Sequence, residues 1–325
     1  MIRVAVIDVG TVTARLAISS VEDDHVTSMT RRSTIVNLGE GVDHSGMLLE
    51  SACNRLLSCI DDYLAEVRSD SVDSLCCTLT SAARDAKNST ELLDELAARG
   101  LKAQVIPGEV EGKLTFLGVA QDFPTSRLLV ADNGGGSTEF AVGSLEGGRT
   151  PSLDFVRSID VGCRRVTEKF LSRTDPPSGE DLAAAHVFAA AAFEPVLDWE
   201  RTAVVKPDRL VVTGGTSTTI VALVKELVPY DSSQVHLATI SRELVEEQER
   251  RLADVTVAER AEFVGIQPKR APVILGGVIA VSEIMRAAGF DELTVSESDL
   301  LYGLSLTVAA AAQGHPSPVG WAPEL

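Results

Sequence analysis

At 325 residues, with 45% apolar and 23% charged side chains, the chain has room for two domains with a core each and the balance of a globular protein. A formal charge of −18 excludes general attraction to nucleic acid or an anionic membrane, so an anionic ligand has to be held by a local basic patch or by metal. Five cysteines without a CxxC pair exclude a disulfide framework and a zinc site. No apolar run approaches the roughly 20 residues that span a bilayer, and Asp8 arrives too early for a signal h-region. We therefore expect a cytoplasmic chain with no membrane and no nucleic-acid partner.

An apolar strand from Arg3 to Ile7 runs into Asp8-Val9-Gly10-Thr11-Val12-Thr13, and an extended pattern resumes from Ala14 to Ser20. Helical spacing of Leu49, Cys53, Leu56, Leu57, Ile60, Tyr63, Leu64 and Val67 predicts a long helix over one face of a sheet. Leu75 to Leu79 reads as a buried strand turning at Thr80-Ser81-Ala82-Ala83-Arg84-Asp85 into a helix. Ligands in open α/β sheets sit at such strand ends, so Arg84 is either a phosphate clamp or one half of a surface ion pair. After a short strand from Ala103 to Ile106, Glu109, Glu111 and Lys113 open another helix. The helix dipole alone favours carboxylates there, and one of them can instead point inward as a general base for water.

The stretch Leu128-Leu129-Val130-Ala131-Asp132-Asn133-Gly134-Gly135-Gly136-Ser137-Thr138-Glu139 reads strand, turn, strand. Its glycines allow close approach of an anion, Ser137 and Thr138 add hydroxyls, and Asp132 and Glu139 can hold a divalent cation. The pattern at Asp8 recurs at Asp132, which predicts two related α/β domains, each with one phosphate loop. A hairpin turn at Gly147-Gly148-Arg149 and a strand from Asp154 to Ile159 follow, then a glycine turn at Gly162 carrying Arg164 and Arg165. A helix is expected from Gly179 to about Trp199, with His186 as a packing or surface residue because no ligand stands at suitable spacing beside it. Gly214-Gly215-Thr216 offers a third anion-binding helix start, or a helix merely capped by Thr216. Polar helices over 241–252 and 256–264, an apolar helix ending near Ala288, a strand from Leu293 to Val295 and a last helix ending near Gln313 complete the chain. The tail is Pro- and Gly-rich and expected to fray.

These three Gly/Thr turns resemble the actin-like ATPase and sugar-kinase superfamily. The order Asp8-x-Gly-Thr, Leu38-Gly39-Glu40-Gly41-Val42, Ser81-Ala82-Ala83-Arg84-Asp85, Gly108-x-x-Glu111-Gly112, Asp132-x-Gly-Gly-Gly-Ser-Thr-Glu139, Asp160-x-Gly162 and Gly214-Gly215-Thr216 resembles the exopolyphosphatase/guanosine pentaphosphate phosphatase (Ppx/GppA) family, in its short two-domain form. The resemblance implies an α/β, duplicated actin-like (ribonuclease H-like) fold with a cleft between the domains. It further implies residues 1–125 as the N-terminal domain, 126–298 as the C-terminal domain, 299–312 as a helix returning to the first domain, and 313–325 as a tail.

The implied reaction is metal-dependent hydrolysis of terminal phosphoanhydride bonds, in inorganic polyphosphate or guanosine pentaphosphate. Carried over residue by residue, Glu111 falls on the base and Arg84 on the phosphate-binding arginine. Asp132 and Glu139, with Asp8, fall on carboxylates for Mg2+ or Mn2+. Gly10, Thr11 and Thr13, Gly134 to Thr138, and Gly215 with Thr216 fall on the phosphate-binding turns. Arg84, Lys113, Arg164, Arg165, Lys269 and Arg270 are expected to form the local basic patch, and a homodimer is the assembly considered. Val12 stands where the family carries Asn, Val110 where it carries a second Glu, Lys113 where it carries Arg, and Asn133 where it prefers an apolar residue. The Val12 and Val110 departures motivate a non-catalytic sensor of polyphosphate or alarmone as the alternative, ahead of a sugar kinase.

Overall fold

The computed structural model describes residues 1–145, 147 and 149–325. Gly148 of the expected turn lies outside the described residues. The chain forms two compact units, one from Met1–Thr125, Ser144–Ser152 and Asp299–Leu325, the other from Ser126–Gly143 and Leu153–Ser298.

The first unit is built on a five-stranded sheet of β1 (Ile2–Val9), β2 (Thr13–Glu22), β3 (His25–Ile35), β4 (Ser74–Leu79) and β5 (Ala103–Val105), ordered β3-β2-β1-β4-β5. β1 to β3 are antiparallel, and β4 and β5 run parallel to β1. Because β1 is buried on both faces it reads as a continuous apolar run and not as an alternating one. Ala5, Ile7 and Val9 share a core with Leu56, Ile60 and Leu64 of the helix Glu50–Ser69. The alternate residues of β1 face the helix Leu300–Ala312, which packs in turn on the helix Gly108–Ala120. Those two helices cross with their backbones in contact. A Cβ on Gly303 would stand 1.9 Å from the Leu114 carbonyl oxygen, and one on Gly118 2.2 Å from that of Asp299.

The second unit holds β6 (Leu128–Asn133), β7 (Thr138–Ser144), β8 (Ser152–Ile159), β9 (Arg209–Thr213), β10 (Thr239–Ser241) and β11 (Glu292–Val295), ordered β10-β11-β9-β6-β7-β8. Five of its strands, β8-β7-β6-β9-β11, repeat the order of the first sheet, with the same antiparallel hairpin and parallel neighbours. This is the duplicated α/β topology expected from the sequence. The segment Pro268–Ala288 is long and apolar enough to cross a membrane, contrary to the composition reading, but 83% of its apolar window is buried. It is the central core helix of this unit, packed on Gly179–Leu197.

Several local expectations change. The helix expected to Trp199 stops at Leu197, because Asp198 caps a separate turn over Trp199–Thr202. Residues 256–264 yield only Val257–Arg260 as helix, and the three-residue β10 was too short to show a period. The tail is tied down: the Glu324 N–H donates to Gln104 Oε1 (2.7 Å) and Lys102 Nζ to the Leu325 carbonyl (2.6 Å). His186 is neither simply packed nor free on the surface. Its Nδ1 lies 2.6 Å from Glu283 and its Nε2 2.7 Å from Glu249, carboxylates 97 and 63 residues away in sequence. Arg286 adds 2.5 Å and 2.8 Å bonds to Glu283 and Glu246. Burial pushes the Glu283 carboxyl up, and His186 with Arg286 outweighs it, leaving Glu283 below its usual range.

Two stability predictions follow from this packing. Gly303→Ala overpacks the helix crossing and should cost about 1–3 kcal/mol, read as a lower denaturant midpoint. His186 is raised from 6.5 to about 9, first by its bond to Glu249 and then by that to Glu283. Its stabilising charge is complete below the unfolded value and is lost as pH rises through the folded one. Between pH 6 and 9.5 the wild type should therefore lose more stability than His186→Ala, and parallel denaturation curves for the two would refute this.

Candidate active site

In the first unit the residues expected to act gather at the ends of β1 and β4 and at the start of the helix Gly108–Ala120. After Val9 the chain turns through Gly10, whose N–H donates to the Thr13 carbonyl (2.9 Å). The segment that follows β3 then takes up the turn's carbonyls: Val36 and Asn37 donate to Val12 O (3.0 and 2.9 Å), and Gly39 to Thr11 O (2.8 Å). A trans peptide carries its N–H opposite its C=O, so the N–H groups of Val12 and Thr13 are directed away from that segment. Gly39 is needed for this approach, since a Cβ there would stand 2.3 Å from the Thr11 methyl. Val12 is buried, so its side chain offers this turn packing and no donor.

Glu111 is the inward carboxylate of the pair that the sequence left open; Glu109 is exposed and Glu111 is 8% exposed. Arg84 Nη1 donates to Glu111 Oε2 (2.7 Å) and to the Ile106 carbonyl (2.9 Å). The clamp and the base are thus held against each other, with Arg84 anchored on the end of the strand that precedes the Glu111 helix. Asp8 has a different partner from the one expected. Its Oδ2 accepts Arg15 Nη2 (2.6 Å) and Nε (3.1 Å), and Arg15 Nη1 reaches Asp299 Oδ2 (2.8 Å). Burial raises the Asp8 carboxyl, and Arg15 pulls it back only in part. A cation at Asp8 would have to approach through Oδ1 or displace the guanidinium from Oδ2.

In the second unit, Asp132 and Glu139 are register partners across the β6–β7 hairpin, and both are buried. Side chains paired in this way project from one face of the sheet. Glu139 Oε1 accepts the Ser158 hydroxyl (2.7 Å). Two neighbouring carboxylates form an oxygen donor set that suits Mg2+, which binds through one or two carboxylates with water and substrate phosphate completing its shell. Among the described residues no cluster of three or more His, Cys, Asp or Glu offers a complete protein cage.

Between these acids, the glycine turn has its carbonyls collected by the chain after β8. Gly134 O accepts the Cys163 N–H (2.9 Å), and Gly135 O accepts those of Arg164 (2.9 Å) and Arg165 (3.2 Å). The N–H groups of Gly135 and Gly136 are correspondingly turned outward, as an anion-binding turn requires. Gly162 permits this contact, because a Cβ there would stand 2.5 Å from the Gly135 carbonyl. The third turn lies against the same place: Gly214, at φ +99°, brings its Cα within a Cβ's reach of Asn133 O and Asp132 Oδ1.

Four expected contacts are redirected. Thr138 Oγ1 donates to Val161 O (2.5 Å) and accepts Asn133 Nδ2 (3.0 Å), so its hydroxyl is structural. Thr216 is buried with its hydroxyl packed toward Gly277, leaving backbone at that turn to face a ligand. Arg164 pairs with Glu168 (2.8 Å), and Arg270 lies over Gly215, where a Cβ would meet its Nη1 at 2.1 Å.

The Ppx/GppA phosphatase family matches residues 17–309. Exopolyphosphatase 2 of Mycobacterium tuberculosis is 35% identical, covering 94% of this chain and 98% of its own. The crystal structure of the Aquifex aeolicus Ppx/GppA family member superposes with a TM-score of 0.78 at 29% identity, over 97% of this chain and 99% of that one. An exopolyphosphatase from Cytophaga hutchinsonii gives a TM-score of 0.84 at 24% identity, over 98% and 100%, a likeness of fold. The chain belongs to the Ppx/GppA phosphatase family and is a hydrolase of phosphoanhydride bonds.

Proposed function

We propose that this chain is an exopolyphosphatase, releasing terminal phosphate from inorganic polyphosphate, with guanosine pentaphosphate as a second substrate. The observation that carries the reading is the buried Glu111 held by Arg84 at 2.7 Å. The near full-length similarity to a protein named exopolyphosphatase supports the choice of substrate.

Phosphoryl transfer asks for placement and charge stabilisation more than for covalent chemistry. Glu111 Oε2 accepts the proton of the attacking water, and its burial keeps bulk water from competing for it. Arg84, aligned by the Ile106 carbonyl, offers its remaining N–H groups to a phosphate oxygen. The turned-out N–H groups of 135–137 bind phosphate oxygens without a side-chain charge. A divalent cation, held by Asp132 and Glu139, would supply neutralisation of the anionic substrate. No Ser, Cys or His nucleophile is needed.

Glu111→Gln should lower kcat by about 10²–10⁴-fold in protein that is still folded at the assay temperature, with a lower melting temperature because Arg84 loses its charge partner, as phosphate release and thermal melting would record. Release from neither polyphosphate nor guanosine pentaphosphate in the wild type would refute the reading, and tight binding without turnover would point to a sensor. Chelation should abolish turnover and added Mg2+ restore it. Asp132→Asn should raise the Mg2+ concentration needed for half-maximal rate by about tenfold or more, in line with loss of one charged ligand. Full activity in excess chelator would argue against the metal.

A further inference from the structure

The phosphate loop has three consecutive carbonyls to dispose of, and they are satisfied by different means. Those of Gly134 and Gly135 accept backbone N–H groups of 163–165, bonds that any residues there could make. The Gly136 carbonyl accepts Arg165 Nε at 2.8 Å, a bond that depends on the side chain. Its donor stands on a firm base. The short helix Cys163–Val166 is packed on Ala271–Ala288 so closely that a Cβ on Gly276 would stand 2.5 Å from the Cys163 carbonyl oxygen. Gly136 O and the Ser137 N–H belong to one peptide unit, so fixing the carbonyl fixes the opposite direction of that N–H.

We propose that Arg165 is a positioning residue for the phosphate loop: by holding the Gly136 carbonyl it aims the Ser137 N–H at a substrate phosphate. The proposal rests on the reading of 134–138 as a phosphate loop given above. It separates Arg165 from the basic patch expected of it, because Arg165 acts on substrate through the loop's backbone and not through its own charge.

The test is steady-state hydrolysis of polyphosphate by the wild type, Arg165→Met and Arg165→Lys across a range of salt, with melting temperatures. Arg165→Met should raise KM by about tenfold, roughly the worth of one charged-group hydrogen bond, with kcat changed far less. Its melting temperature should stay within about 2 °C of wild type. Arg165→Lys, which keeps a donor in reach of the carbonyl, should recover most of the loss. The slope of log KM against log salt should match the wild type in both variants. A slope shallower by about one in Arg165→Met would make Arg165 a direct phosphate contact and overturn the proposal. An unchanged KM, or a loss tracking a fall in melting temperature without rescue by lysine, would overturn it as well. A wild type that neither binds nor hydrolyses polyphosphate removes the underlying reading instead, and this is seen before any variant is compared.

Discussion

The trans peptide, with its C=O and N–H fixed on opposite sides, is the constraint on which both glycine turns depend. A turn can offer several N–H groups to an anion only if something else takes its carbonyls. In the first unit the segment Val36 to Gly39 does so, and in the second the segment Cys163 to Arg165 does. Glycine is required on both sides of each contact, at Gly39 and Gly162 as much as in the turns, because a Cβ would hold the segments apart. The collecting segments therefore belong to the device that turns these N–H groups outward. This also places the Val12 departure: with Val12 buried, the first turn has no side-chain donor at that position.

Charge burial sets which ion pairs matter. Arg32 and Glu66 meet at 3.1 Å with side chains 56% and 31% exposed, a pair worth about 0–1 kcal/mol. Arg84 and Glu111 meet at 2.7 Å with side chains only 20% and 11% exposed. There, removing one partner leaves a largely buried charge behind, so the pair is costly to break from one side. A substrate phosphate can take Arg84 while Glu111 turns to water, replacing one charge-assisted contact by another of the same kind. With a net charge of −18, an anionic ligand has to be met by local groups of this kind and not by the general field of the chain.

What could be read from the sequence was local. The Asp8 and Asp132 motifs, the Arg84 strand end and the helix carrying Glu111 lie within short windows where spacing and glycine carry the signal. The duplicated topology followed from the repeat. The direction of a side chain at a hairpin was not readable: Thr138 looked like a phosphate donor, and its hydroxyl is spent on Val161. Partners far apart in sequence were equally hidden. Nothing beside His186 announces Glu249 and Glu283, nothing beside Arg15 announces Asp299, and nothing in Arg165 distinguishes a hold on Gly136 from a hold on substrate. Pro268–Ala288 was legible as an apolar helix, but not as one whose apolar window is 83% buried as the core of its unit.

The repeat itself explains why its two halves do different chemistry. Both hairpins place an acid at the end of the first strand, and the register of each pairs that acid with one residue on the second. Asp8 is paired with Arg15, Asp132 with Glu139. Opposite charges across a hairpin stabilise it, whereas like charges directly opposite are destabilising unless a cation sits between them. One substitution class at one register position thus makes the first hairpin a closed ion pair, extended to Asp299 at the head of the last helix, and the second a pair of facing carboxylates. The same strand, turn and glycines serve both, so the division of labour lies in the residue facing the aspartate and not in the motif that contains it.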